Sequence, residues 1–291
     1  MKIGVIGTPG GWSSELLADT VAEKTGYRLL IDMKDIRLDL HNNTCWFNGV
    51  NLNTLNGLMI KKVGAWYSPA LLDRLEMLRF LNENGLPVFS KPSSIISVLN
   101  RLSCTASLKL AGIPMPPTTL TENVEEALAT VKEYGKAVFK PLYSSKGRGM
   151  IVVENNTEAY STIVEYAEHF PLMYIQKVVD LEEDKDLGVV FIKGKYLTTY
   201  ARCKGNSWNT TTASGGHYAS YTPSLEIIEL ARKAQELFDL DFTCVDVAIT
   251  SDGPVVFEVS AFGGFKGILK SSGINAAKLY VDSVVKELSW T

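Results

Sequence analysis

Hydrophobic and polar residues follow two alternating periods along the first ninety positions of the chain. Short apolar runs, such as 2–6 and 27–31, have the length and flanking turns of buried strands. Between such runs, apolar residues recur at helical spacing, from about Ser13 to Gly26 and from Ser68-Pro69 to Gly85. Strands that alternate with helices are typical of a parallel α/β layer, which we expect to span residues 1–92.

The pattern changes after Lys91-Pro92, where a proline followed by two serines is typical of a new element. A single helix is predicted over 95–111, followed by a mixture of strands and helices in no strict alternation. This arrangement favours an α+β unit over 93–291. The predicted fold class is therefore α/β plus α+β.

Composition excludes several classes of protein. Hydrophobic residues make up 46% and charged residues 21% of the chain, which argues against a disordered or fibrous protein. The net charge is −3 and no dense basic cluster occurs, so nucleic acid is not expected as the main partner. No apolar run approaches the roughly 18 residues of a membrane span, and the opening segment does not resemble a signal peptide. We therefore expect a cytoplasmic protein with no membrane partner.

Cysteine and histidine do not suggest a metal centre or a disulfide framework. The four cysteines contain no CxxC spacing, and the three histidines do not fall at zinc-ligand spacing. Reduced, partly buried cysteines are the favoured interpretation. The early glycines Gly4, Gly7 and Gly10 are spaced by three and do not form GxGxxG, which favours a plain turn over the dinucleotide site of an oxidoreductase.

A lysine at the end of a predicted strand precedes a glycine-rich loop. Lys140 closes the apolar run 137–140, and the loop 144–149 contains two serines, two cations and two glycines. Glycine allows backbone N–H groups to converge on phosphate oxygens, while the cations neutralise their charge. The loop therefore suggests a phosphate site, and an ordinary basic hairpin is the alternative.

Two acidic residues interrupt a hairpin that is otherwise apolar. The runs 244–249 and 255–260 flank a turn, and a three-residue loop, 251–253, would place Asp246 directly opposite Glu258. Ser260 would share their face because side chains repeat every two residues along a strand. Adjacent carboxylates repel, and a hard divalent ion, Mg²⁺ or alternatively Mn²⁺, removes that conflict. An edge hairpin with two solvated acids is the alternative.

These features occur together with further motifs over 100–285, and the chain thereby resembles the RimK-like branch of the ATP-grasp ligases. The supporting segments include Asn100-Arg101-Leu102, the linker 111–116 and Gln176-Lys177-Val178-Val179. The resemblance implies a Rossmann-like (pre-ATP-grasp) α/β domain at 1–92, followed by an ATP-grasp domain at 93–291. Two lobes of that domain, at about 93–185 and 186–291, are expected to clamp ATP.

The resemblance also implies roles for individual residues. Cations are expected at the phosphates, the edge segment at adenine, and three oxygen donors at the metal. The residues implied to bind the nucleotide are Arg101, Lys140, Ser145, Lys146, Gly147, Gly149, Gln176, Lys177, Val178, Val179 and Asp186. The implied metal ligands are Asp246, Glu258 and Ser260.

The sequence departs from the family pattern on the acyl side of the site. The loop before Gly215-Gly216 contains Asn209 but lacks the usual arginine, and Arg202 or Lys204 is expected to replace it. Lys266 stands where an acid is common, which suggests an anionic group on the acceptor.

The activity implied by the resemblance is ATP-dependent ligation of a carboxylate to an amine through an acylphosphate, with release of ADP and phosphate. The expected partners are a small-molecule or peptide carboxylate and an amine, and a homo-oligomer is compatible with the sequence. The missing arginine leaves one alternative, a non-catalytic ATP-binding scaffold or sensor on the same fold.

Overall fold

A computed structural model describes residues 1–145 and 147–290 of the chain. The strands are β1 (Ile3–Ile6), β2 (Leu30–Ile31), β3 (Ile36–Asp39), β4 (Thr44–Phe47), β5 (Val50–Asn51), β6 (Gly57–Ile60), β7 (Val88–Phe89), β8 (Thr118–Thr121), β9 (Lys136–Lys140), β10 (Ile151–Glu154), β11 (Met173–Lys177), β12 (Lys185–Ile192), β13 (Lys195–Cys203), β14 (His217–Ser220), β15 (Phe242–Thr250) and β16 (Gly253–Ser260). The helices are α1 (Trp12–Thr25), α2 (Ala70–Glu83), α3 (Pro92–Leu99), α4 (Arg101–Leu110), α5 (Val124–Tyr134), α6 (Ala159–His169), α7 (Leu225–Glu236), α8 (Phe265–Ser272) and α9 (Ala276–Leu288).

The N-terminal elements form the predicted parallel layer, with strand order β2-β1-β6-β7. Helix α1 follows β1 and ends at Gly26, whose φ of 74° is accessible because glycine has no Cβ. Between β2 and β6 lies a small antiparallel sheet, β3-β4-β5, which the sequence pattern did not predict. Its strands are only two to four residues long and partly exposed, so their apolar signal is weak.

The single helix predicted over 95–111 is wrong, because the chain leaves helical geometry at Asn100. This residue has φ −80° and ψ 118°, and its side-chain oxygen accepts hydrogen bonds from the N–H groups of Leu102 and Ser103. Asn100 therefore caps the N-terminus of α4, satisfying N–H groups that a helix start leaves unpaired. As a consequence, Arg101 is the first residue of a new helix.

The next part is an antiparallel sheet, in the order β10-β9-β11-β8, covered by α5 and α6. Its core is a separate cluster that includes Val131, Phe139, Ile163 and Ile175, all buried. Helix α5 begins after Asn123, whose side chain accepts hydrogen bonds from the N–H groups of residues 125 and 126.

The last sheet has five antiparallel strands in the order β14-β13-β12-β15-β16. Helix α7 packs against β15 and β16, whereas α8 packs against β13 and β14. Helix α9 returns to the N-terminal layer and packs against α1, so one apolar cluster joins Val21 to Val281. The predicted class, α/β followed by α+β, is confirmed.

Among the described residues, none of the helices combines the length and the apolar character that crossing a bilayer requires.

The cap at Asn123 gives a test of the local fold. Asn123→Ala removes the acceptor for two helix N–H groups and should destabilise the protein by about 1 kcal/mol, whereas Asn123→Asp keeps an acceptor and should change stability by only a few tenths. Urea unfolding followed by circular dichroism measures both. Equal midpoints for the wild type and the alanine variant would contradict the assigned cap.

Candidate active site

The two acidic residues on the last hairpin are direct partners. Asp246 on β15 pairs with Glu258 on β16, as predicted, and Ser260 follows two residues later on the same strand. Direct pairing in an antiparallel sheet places both side chains on one face. The structure therefore brings the two predicted carboxylates together.

The turn that produces this pairing differs from the predicted one. Thr250 pairs with Gly253, so the loop contains two residues, 251 and 252, and not three. Gly253 has a φ of 105°, and the hydroxyl of Thr250 donates to its carbonyl at 2.9 Å. A bulge at Phe257 then restores the predicted register, because the pairing shifts by one residue between Val247 and Asp246.

An arginine holds the first of these carboxylates. Arg202, on β13, donates from Nη2 to Asp246 Oδ2 at 2.9 Å and from Nε to both oxygens of Asp186 at 3.1 and 3.2 Å. Only 4% of the Asp186 side chain and 14% of the Asp246 side chain is exposed. Burial raises the pKa of Asp246 above its usual range, and the guanidinium of Arg202 opposes that shift.

A second arginine holds the other carboxylate. Arg101, at the start of α4, donates from Nη1 to Glu258 Oε2 at 2.9 Å and from Nε to the carbonyl of Pro141 at 3.3 Å. Its side chain is 9% exposed. The break in the helix at Asn100 places Arg101 at this carboxylate, so each acid of the pair has its own arginine.

Lys140 lies at the end of β9, across the cleft from the acidic hairpin. Its ammonium donates to Gln176 Oε1 at 2.5 Å and lies 5.4 Å from the centroid of the Phe257 ring. Burial lowers the pKa of Lys140 to about 7, and the charge of Arg101 acts in the same direction. Gln176 in turn donates to the hydroxyl of Thr118 at 3.0 Å, which fixes the acceptor for the lysine.

A cleft of about 640 Å³ joins these groups, and most of the predicted site residues line it. Those that do are Arg101, Lys140, Ser145, Gly147, Gln176, Lys177, Val178, Val179, Asp186, Arg202, Lys204, Asn209, Asp246, Glu258 and Ser260.

Two predicted residues are placed differently, and a third is not among the described residues. Lys146 lies outside the described residues. Gly149 is not in the lining, and a Cβ there would lie 2.9 Å from Pro141 Cγ, so this glycine permits close packing beneath the loop. Lys266 is exposed on α8 and does not line the cleft. Lys266 therefore does not bring the expected positive charge into the cleft.

The N-terminal layer contributes two lining residues, Lys62 and Tyr67, that were not predicted individually from the sequence. Both follow β6, at the carboxyl edge of the parallel sheet. Ligands of open α/β sheets bind outside that edge, so a lysine pair directly after a short buried strand was the signal that could have identified them. The strand Gly57–Ile60 was itself absent from the predicted elements.

The donors on the hairpin fit a hard cation. Two carboxylates and one hydroxyl are oxygen ligands, which Mg²⁺ prefers, with further positions taken by phosphate oxygens and water. In the part of the chain that the structure describes, no three His, Cys, Asp or Glu side chains are arranged to hold a metal by themselves.

Comparison with known proteins identifies the architecture. The RimK-like ATP-grasp domain model matches residues 98–284. The tetrahydromethanopterin:alpha-L-glutamate ligase of Methanosarcina acetivorans is 25% identical over 317 aligned positions, covering 97% of this chain and 98% of the relative. The protein of that name from Methanocaldococcus jannaschii is 26% identical over 218 positions, covering 73% of this chain and 75% of the relative.

Solved structures show the same fold over nearly the whole chain. A RimK domain protein from Sphaerobacter thermophilus superposes with a TM-score of 0.76 at 19% identity, covering 97% of this chain and 98% of the other. The ATP-grasp ligase PsnB, complexed with a precursor variant, Mg and ADP, gives 0.76 at 15% identity and covers 98% of both chains. The match of the family model over more than half of the chain shows that this protein belongs to the RimK-like ATP-grasp family, as a ligase that forms amide bonds.

Proposed function

We propose that this ligase joins a carboxylate to the α-amine of an acidic amino acid, with L-glutamate as the favoured amine, and that ATP and Mg²⁺ act in the cleft. The observation that carries the proposal is the paired carboxylates, Asp246 and Glu258, across the cleft from the ammonium of Lys140. The choice of L-glutamate is supported by curated relatives whose names specify alpha-L-glutamate ligation.

The nucleotide is proposed to lie along the wall formed by β9 and β11. Lys140 and Arg101 would contact phosphate oxygens, and the backbone of 176–179 would contact adenine. The glycine loop supports this assignment, because a Cβ on Gly147 would lie 3.3 Å from Thr211 Cγ2. The loop is thus packed beside the segment that contains Asn209, and both segments would cover the phosphates.

Asp246, Glu258 and Ser260 are proposed to hold Mg²⁺, with Mn²⁺ as an alternative ion. When bound, the ion would supply positive charge at the phosphate oxygens. Arg202 and Arg101, which hold carboxylates in the structure, are proposed to contact phosphate oxygens when the nucleotide is bound. Asp186, the more deeply buried of the two carboxylates that bind Arg202, would keep its guanidinium in position.

The proposed chemistry has two balanced steps. An oxygen of the acceptor carboxylate attacks the γ-phosphorus of ATP, the bond to the bridging oxygen breaks, and ADP leaves with that electron pair. The amine then attacks the acyl carbon, the bond from that carbon to the phosphate oxygen breaks, and phosphate leaves while the nitrogen loses a proton. Positioning and charge neutralisation carry both steps, so no nucleophilic side chain is required. Arg202, Lys204 and Asn209 are proposed to hold the acyl and phosphate groups.

Removing either charged wall of the site should abolish turnover. The acceptor carboxylate is first identified by a screen. Candidate carboxylates are incubated with L-glutamate and ATP, phosphate release is measured, and the products are identified by mass. With that acceptor, Lys140→Met and Glu258→Gln should lower the rate of ADP release by at least about 100-fold, because each removes charge stabilisation at the phosphates. Glu154→Gln, on the exposed end of β10, is the matched control. Undiminished ADP release by either cleft variant would refute the assignment.

Nucleotide binding should be coupled to proton uptake at Lys140. Because its pKa is about 7 in the free protein, the side chain is largely neutral at about pH 8 and must gain a proton when phosphate stabilises the ammonium. Affinity should therefore fall as pH rises above 7. Titration of a non-hydrolysable ATP analogue with Mg²⁺, in buffers of different ionisation enthalpy, should reveal uptake in the wild type and none in Lys140→Met. Buffer-independent heats in the wild type would contradict this expectation.

Loss of Arg202 should destabilise the protein, because it leaves two buried carboxylates without their cation. Arg202→Met should lower the free energy of unfolding by about 3–5 kcal/mol. Lys204→Met is the matched control, since its partner Asp184 is 75% exposed, and it should cost less than about 1 kcal/mol. Chemical denaturation in the absence of ligands measures both. Similar losses in the two variants would show that Arg202 is not a buried structural charge.

A further inference from the structure

Two consecutive lysines stand at the carboxyl end of β6, where the N-terminal sheet meets the cleft. The N–H groups of Lys61 and Lys62 both donate to the carbonyl of Ile6, at 2.8 and 3.2 Å. Ile6 is the last residue of β1, so the lysine pair is fixed at the carboxyl ends of two neighbouring parallel strands. This edge is where open α/β sheets bind ligands.

The first lysine is buried and serves as an anchor. Lys61 is 4% exposed, its ammonium donates to the carbonyl of Gly263 at 2.5 Å, and it lies 4.4 Å from the centroid of the Phe265 ring. Burial and the neighbouring charge of Lys62 lower the pKa of Lys61 to about 7. The contact joins the N-terminal layer to the turn between β16 and α8, directly after Ser260.

The second lysine lines the cleft. Lys62 is half-buried, and among the described lining residues it is the cation that the N-terminal layer contributes. The lining also includes Tyr67 from the same layer, and Phe262 and Gly264 from the turn that Lys61 anchors.

The other cations of the lining belong to the nucleotide and metal side. Lys136, Lys140 and Lys177 belong to β9 and β11, Arg101 begins α4, Arg202 lies on β13 and Lys204 directly follows that strand. Lys62 therefore places positive charge on a different wall, which belongs to the N-terminal sheet. Through Lys61, this wall is joined to the turn 261–264.

An acidic amino acid that donates its amine keeps both of its carboxylates through the reaction. Each carboxylate that enters a cleft loses hydration and is stabilised there by a cation that donates hydrogen bonds. We propose that Lys62 is this cation, binding a carboxylate of the amine-donating amino acid in a subsite between the segment 62–67 and the turn 261–264. The inference rests on the proposed function and specifies which wall recognises the amino acid.

The test is direct binding of L-glutamate to the full chain saturated with Mg²⁺ and a non-hydrolysable ATP analogue, measured by calorimetry. Lys62→Met should weaken L-glutamate binding by about tenfold or more, because it removes a charged hydrogen-bond donor. Lys62→Arg should retain most of the affinity, and affinity for the ATP analogue should not change. Lys270→Met, an exposed lysine on α8, is the matched control and should bind like the wild type.

Ligand analogues separate a direct contact from a general loss of structure. L-glutamine and L-isoglutamine each replace one carboxylate of glutamate by an amide. The analogue that lacks the carboxylate contacted by Lys62 should bind the wild type and Lys62→Met with equal affinity. The other analogue should still bind the wild type about tenfold more tightly than Lys62→Met. If both amides retain that difference, or if Lys62→Met binds glutamate normally, the inference is overturned while the proposed function stands. If the wild type binds the ATP analogue but not glutamate, the proposed amino acid is wrong and the inference fails with it.

Discussion

The structure of the site depends on two carboxylates that are paired across neighbouring strands of a largely apolar sheet. Asp246 and Glu258 would repel each other if they were left alone, and each is held by an arginine. Arg202 comes from the same sheet, two strands away. Arg101 is the first residue of α4, which Asn100 caps. The break between α3 and α4 therefore places the guanidinium of Arg101 at the carboxylate of Glu258.

The same constraint explains how the ligand-free site stays stable. The side chains of Asp186 and Asp246 are buried, and the counter-charge of Arg202 offsets part of the cost of burying them before any metal or phosphate is present. The side chain of Glu258 is 42% exposed and is held by Arg101. In the proposed reaction, the cations of the cleft would neutralise part of the charge that the phosphates bring.

The two halves of the proposed reaction draw on different parts of the chain. The proposed nucleotide wall is formed by β9 and β11, whereas Lys62 lines the cleft from the N-terminal sheet. The contacts that join that sheet to the last lobe include the buried ammonium of Lys61 on Gly263 and the packing of α9 on α1. These contacts fix the N-terminal sheet beside the cleft, and the domain boundary at residue 92 stays a prediction.

The sequence by itself determined the features that arise from local patterns. These are the alternating layer, the glycine loop after Lys140 and the pairing of Asp246 with Glu258. The predicted length of the hairpin loop was wrong, but the pairing was correct because a bulge restored the register. Only the tertiary structure decided that Lys62 and Tyr67 enter the cleft, that Lys266 does not, and which arginine holds which carboxylate. Periodicity and turn chemistry act over a few residues, whereas these placements depend on packing between elements that are far apart in the chain.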